Sequence, residues 1–192
     1  MSRTIVIVAF VAALVIGCAG QSDQEGVDRW FDISRERLDA DDPSTDVMQI
    51  NPSAPCELVD RIEIDGVELE LFGSGTARFG EIGGRYQCAW SGDATGAANV
   101  RLEVVTVNDA DDFADYVDLV PTRDGNTIVD TDIGQIQVAS FEPDPEFPPV
   151  TTAVLVVDEQ QGGVHLVVEP LGPERDLTAK DYADLLVRLT TE

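Results

Sequence analysis

Lysine is almost absent from this chain. Lys180 is the only one, and 12 basic residues stand against 37 acidic ones, a formal net charge of −25 at pH 7. A field of that sign repels phosphate backbones and anionic headgroups, so nucleic acid is not an expected partner. It favours cations, basic partners, or plain solubility in a salty medium. Histidine occurs once, at position 165. That argues against a histidine metal centre and leaves one ordinary base for activating a nucleophile. No Gly-x-Ser-x-Gly elbow, Ser-x-x-Lys motif or lysine-bearing phosphate loop occurs. The expectation is therefore no metal, no cofactor and no catalytic residue. Long apolar runs are missing too. The longest, Ile5 to Ile16, falls short of the roughly 20 residues a spanning helix needs.

What is present starts at the N-terminus. Arg3 precedes the apolar run, and Gly17 and Cys18 follow it. This is the layout of a secretory signal peptide over residues 1–17. The tetrapeptide Val15-Ile16-Gly17-Cys18 resembles a bacterial lipobox, in which the cysteine thiol is acylated and becomes the first mature residue. More than one acyl chain anchors stably where a single chain is marginal. The expected location is the extracytoplasmic face of the cell membrane, held by lipid on Cys18.

Three cysteines then divide into one and two. With Cys18 assigned to lipid, Cys56 and Cys88 remain as a pair in an oxidising compartment. A bridge between them closes a loop of about 33 residues, for which the chain-entropy model gives about 3.7 kcal/mol. Two free thiols or a metal pair are the alternatives.

Residues 18–52 read as a polar tether, rich in Gly, Ser, Gln, Asp and Pro. Val27, Trp30 and Phe31 interrupt it at helical spacing. They predict a short amphipathic helix that touches membrane or partner, or a helical turn docked on the chain's own domain. A single domain is expected over residues 53–192. Ile62, Ile64, Val67, Leu69 and Leu71 alternate with acids as strand pieces, with a slip at Asp65-Gly66. Residues 73–84, with five glycines, read as a loop. Tyr86, Cys88 and Trp90 share one face of the next strand. A strand over 100–107 leads to a helix that Asn108 caps and Pro121 ends. Strands near 135–141, 152–158 and 164–169 follow, then a helix burying Tyr182, Leu185, Leu186 and Leu189. The predicted class is α+β: a single antiparallel sheet of about five to six strands with two helices packed on one face.

Pro55-Cys56-Glu57-Leu58 and Cys88-Ala89-Trp90 resemble the motifs of an actinobacterial lipoprotein family of unknown function. That family carries a lipobox, a polar tether, a Pro-Cys-x-Leu start and a Cys-x-Trp strand some thirty residues on. The likeness covers about residues 53–192. It implies a disulfide-linked, surface-tethered domain with no assigned chemistry. One departure is that the family follows its first cysteine with a helix, whereas residues 57–71 here alternate like strands.

The remaining features carry little chemistry. His165 sits on a strand whose other face is apolar, so it should point to solvent or to a second layer. Asp39, Asp41, Asp42 and Asp46 lack the glycine and distal glutamate of a calcium loop. Phe141-Glu142-Pro143-Asp144-Pro145-Glu146-Phe147-Pro148-Pro149 is a stiff loop, and a stiff loop that presents an aromatic binds at low entropy cost. Phe141, Phe147 and Pro148 are its candidate binding residues. The resulting expectation is a non-catalytic module that binds a small ligand or an envelope protein. An accessory subunit of an envelope complex and a carboxylate-based hydrolase are the alternatives.

Overall fold

A computed structural model describes residues 21–40, 56–64, 66–92, 99–120, 126–141, 149–159, 161–169 and 177–191. The chain order is helix α1 (Gln21–Ala40), a single 3-10 turn (Cys56–Val59), strands β1 (Arg61–Ile64), β2 (Val67–Phe79), β3 (Gly83–Ser91) and β4 (Asn99–Val107), and helix α2 (Ala110–Leu119). Strands β5 (Thr127–Thr131), β6 (Gly134–Phe141), β7 (Val150–Val156) and β8 (Gly162–Val168) follow, then helix α3 (Ala179–Thr191).

All eight strands join one antiparallel sheet in the order β1-β2-β3-β4-β8-β7-β6-β5. It consists of two four-stranded meanders that meet where β4 pairs with β8. This corrects the predicted plan of five to six strands and two helices on one face. Among the described residues there are eight strands and three helices, a mostly-sheet fold. α1 and α3 lie on one face of the sheet, and α2 lies on the other.

Two strands escaped the sequence pattern for identifiable reasons. β2 runs on through Gly73 and Gly75, after a register shift between Leu71 and Gly73. Its small residues suit bulky neighbours: Ser74 pairs with Cys88 and Thr76 with Tyr86. Gly73 and Gly75, which suggested a loop, sit in register with Ala89 and Gln87 of β3. β5 is only five residues long and shows no sustained alternation; its place comes from pairing with β6.

Strand alternation sorts the side chains. Leu69, Tyr86, Cys88, Trp90, Leu102, Val104, Ile136, Leu155, Val164 and Leu166 form the main core under α1 and α3. Val105 and Val154, one residue out of phase, turn to the other face and meet Tyr116 and Val120 beside α2. α2 starts at Asp109, not at the expected Asn108. The Asp109 carboxylate accepts from the N–H groups of Asp111 and Asp112, at 2.9 and 3.0 Å, satisfying donors that the first helical turn leaves open.

α1 occupies part of the expected tether and is a docked helix. Val27 and Phe31 are fully buried, as is Ser34, and Trp30 is nearly so. These positions repeat at i, i+3, i+4 and i+7, one stripe of a helix, so α1 belongs to the core and is no flexible spacer. Its contact with α3 is close. A Cβ on Gly26 would stand 2.5 Å from the Thr190 carbonyl oxygen, so glycine is required at the crossing.

α3 packs against β5 and β6 and also reaches the opposite edge of the sheet. There Arg188 Nη2 donates to the Glu63 carbonyl oxygen of β1 at 3.1 Å. The sheet therefore curls round α3. The contact also occupies a carbonyl on an edge strand, where open backbone groups invite unwanted pairing.

Candidate functional site

The Cys56–Cys88 disulfide is formed, with Cα atoms 5.7 Å apart, and both residues are fully buried. It fastens the 3-10 turn to the middle of β3. Two neighbours on the same strand face reinforce it. The Trp90 indole Nε1–H donates to the Val59 carbonyl oxygen at 2.7 Å. The Tyr86 hydroxyl lies 3.0 Å from Cys56 Sγ, and since a bridged sulfur has no proton, the phenol donates. The chain enters the sheet directly after one short turn, which accounts for the strand-like alternation that follows Cys56.

The α2 face carries a polar band. Gln87 on β3, Glu103 on β4 and His165 on β8 stand side by side in register. Glu103 is buried, and its carboxylate lies 3.6 Å from both Arg85 and Arg101. Arg101 also meets Glu169 at 2.6 Å. A buried carboxylate needs such partners, because desolvation without them costs several kcal/mol. His165 is half-buried and sits under α2, the second-layer placement among the two expected. Its Nε2 is 2.7 Å from the Tyr116 hydroxyl, with donor and acceptor set by the imidazole tautomer. Gly163 permits this contact, since a Cβ there would collide with the Tyr116 hydroxyl.

Burial, helped by the charge of Arg85, pushes the His165 pKa down to about 4. Burial pushes the Tyr116 phenol up from its ordinary value. Both side chains are thus neutral near pH 7, a pairing that holds a helix on a sheet. Folding excludes the His165 proton that the unfolded chain binds below about pH 6.5. The contribution of His165 to stability is then flat above that pH and falls as pH drops from 6.5 towards 4. Between pH 7.5 and 5 this single group is expected to remove about 1–2 kcal/mol. Urea midpoints across that range check it: the slope between pH 6.5 and 5 should flatten in His165→Gln.

Two open grooves flank the sheet. One, of about 530 Å³, lies where the C-terminal turns of α1 meet the β2–β3 turn, and Arg35, Arg78, Asp39 and Glu81 contribute to it. The charges there are balanced. The other, of about 440 Å³, lies between β1 and α3. Ile64 and Leu185 form its floor, and Glu63, Asp181 and Asp184 stand at its rim.

No family model, curated protein or solved structure matches the chain. The site therefore rests on geometry alone. Of the residues singled out in the sequence, Cys56 and Cys88 are brought together. Cys18, Phe147 and Pro148 lie outside the described residues. Phe141 ends β6 half-buried, paired in register with Val150. Among the described residues no group of three His, Cys, Asp or Glu side chains is placed to hold a metal ion, and no helix is long and apolar enough to cross a membrane. The β1–α3 groove was not anticipated. Tyr182, expected in the core, is half-buried and contributes to this groove. Glu63 read only as the polar phase of a strand. No local signal joins two elements so far apart in sequence; the curl of the sheet does.

Proposed function

We propose that this protein is a membrane-anchored, extracytoplasmic lipoprotein whose folded domain binds a ligand or partner and performs no covalent chemistry. The observation that carries the reading is the buried Cys56–Cys88 bridge. Disulfides persist in oxidising compartments, and pairing these two sulfurs leaves Cys18, in its lipobox-like setting, for acylation. The Pro-Cys-x-Leu and Cys-x-Trp motifs, through which the chain resembles an actinobacterial lipoprotein family, meet at this bridge. The non-catalytic half of the reading is supported by the polar band. Its histidine has Nε2 engaged by the Tyr116 hydroxyl and its basicity lowered by burial, which makes it a weak base for activating a nucleophile.

Expression of the full chain in a lipoprotein-processing bacterium tests the anchor. The mature protein should begin at Cys18, carry the mass of a diacylglyceryl group, and enter the detergent phase on partitioning. Cys18→Ala should abolish all three. A mature chain with an unmodified start that partitions into water would overturn the proposal.

A further inference from the structure

The β1–α3 groove combines an apolar floor with an acidic rim. Ile64 and Leu185 are each 6% exposed, so they offer a floor already part of the core. Leu177 and Tyr182, both half-buried, add apolar wall. Above them stand three carboxylates, Glu63, Asp181 and Asp184, and one guanidinium, Arg188. The nearby cations have protein partners. Lys180 Nζ donates to Asp184 Oδ1 at 2.6 Å, and Arg188 donates to the backbone of Glu63. Asp181 accepts from the N–H of Thr178 at 2.7 Å and from its hydroxyl at 2.6 Å. Those bonds hold its carboxyl below the usual range, so it stays ionised in mild acid. Among the described residues the Glu63 carboxylate has no ion-pair partner.

We infer that this groove binds an organic cation: a primary ammonium or guanidinium on an apolar stem, such as the Lys or Arg side chain of a basic partner. The inference rests on the binding-module reading above and names its ligand class. Three features carry it. The volume of about 440 Å³ lies at the small end of ligand clefts and suits one or two side chains. The floor shields a methylene stem while the rim receives the charged head, the division that long cationic side chains favour. The net charge of −25 raises the local concentration of cations and repels anions.

Titration of the isotopically labelled full-length chain, in dilute non-ionic detergent, with hexylammonium, hexanoate and hexanol tests the inference. The three share a stem and differ in charge. Hexylammonium should shift the amide resonances of Ile64, Tyr182 and Leu185 saturably, hexanol more weakly, and hexanoate not at all. Glu63→Gln, at an exposed position, should weaken hexylammonium by about two- to five-fold, the range of an exposed charge pair, without changing the melting temperature. Equal binding of hexanoate, or unchanged affinity in Glu63→Gln, would overturn the inference. Shifts centred elsewhere on the molecule would overturn this site yet leave the binding-module reading standing. A water-soluble, unacylated mature chain would overturn that reading and leave the groove intact.

Discussion

Phe31→Ala is expected to destabilise the protein by about 3–5 kcal/mol, the range for emptying a buried phenylalanine site. Phe31 is fully buried in α1, in a core cluster that also holds Val27, Trp30 and α3 residues Ala183, Leu186 and Leu189. Removing the ring leaves a cavity between two helices and the sheet, and the close approach of Gly26 to Thr190 limits how far α1 can collapse into it. For a chain of this length the melting temperature should fall by about 6–20 °C. Differential scanning calorimetry or a urea titration measures it. Asp32→Ala is the control. That side chain is 82% exposed, and its replacement should change stability by less than about 0.5 kcal/mol. Were residues 21–40 a tether, both substitutions would be equally silent. A Phe31→Ala loss below about 1 kcal/mol would therefore refute the docked helix.

The second large effect belongs to the disulfide. Replacing Cys56 and Cys88 together by alanine should cost about 3.7 kcal/mol, the loop-closure entropy returned to the unfolded chain, and lower the melting temperature by about 7–15 °C. The bridge joins residues 32 apart in sequence, so the unfolded state regains considerable freedom. The folded state loses something as well. The 3-10 turn is then held chiefly by the Trp90–Val59 hydrogen bond, and the Tyr86 hydroxyl loses its sulfur acceptor. Treatment of the unmutated protein with a phosphine reductant should reproduce the shift. An unchanged transition under both conditions would mean that the bridge adds nothing to the fold.

The α1 and disulfide effects differ in how legible they were. Two cysteines left over once Cys18 was assigned to lipid suggested a bridge before any fold was known, and the bridge is there. The helical spacing of Val27, Trp30 and Phe31 suggested a helix and left open what it touches. A stripe that narrow, set among Asp, Glu and Arg, does not identify its own docking surface. The core face of α3 was largely legible because Leu185, Leu186 and Leu189 repeat at helical spacing, and all three are buried. Tyr182 shares that spacing but lies where the sheet edge fails to cover the helix, and so it contributes to a groove.

Periodicity reports which way a residue points relative to its own element, and on that ground the sequence alone specified most strand faces and the helices α2 and α3. It could not specify what stands opposite. Ser74 and Gly75 lie in a strand because Cys88 and Gln87 lie beside them, and five residues form β5 because β6 offers an edge. α2 lies on its own face because residues of opposite phase, Val105 and Val154, meet Tyr116 there. The curl that brings Arg188 to Glu63 is likewise a property of the assembled sheet. Alternation and helical spacing act within a few residues. Strand pairing, the side of the sheet on which each helix docks, and grooves depend on contacts between segments tens to more than a hundred residues apart, and those exist only once the chain has closed upon itself.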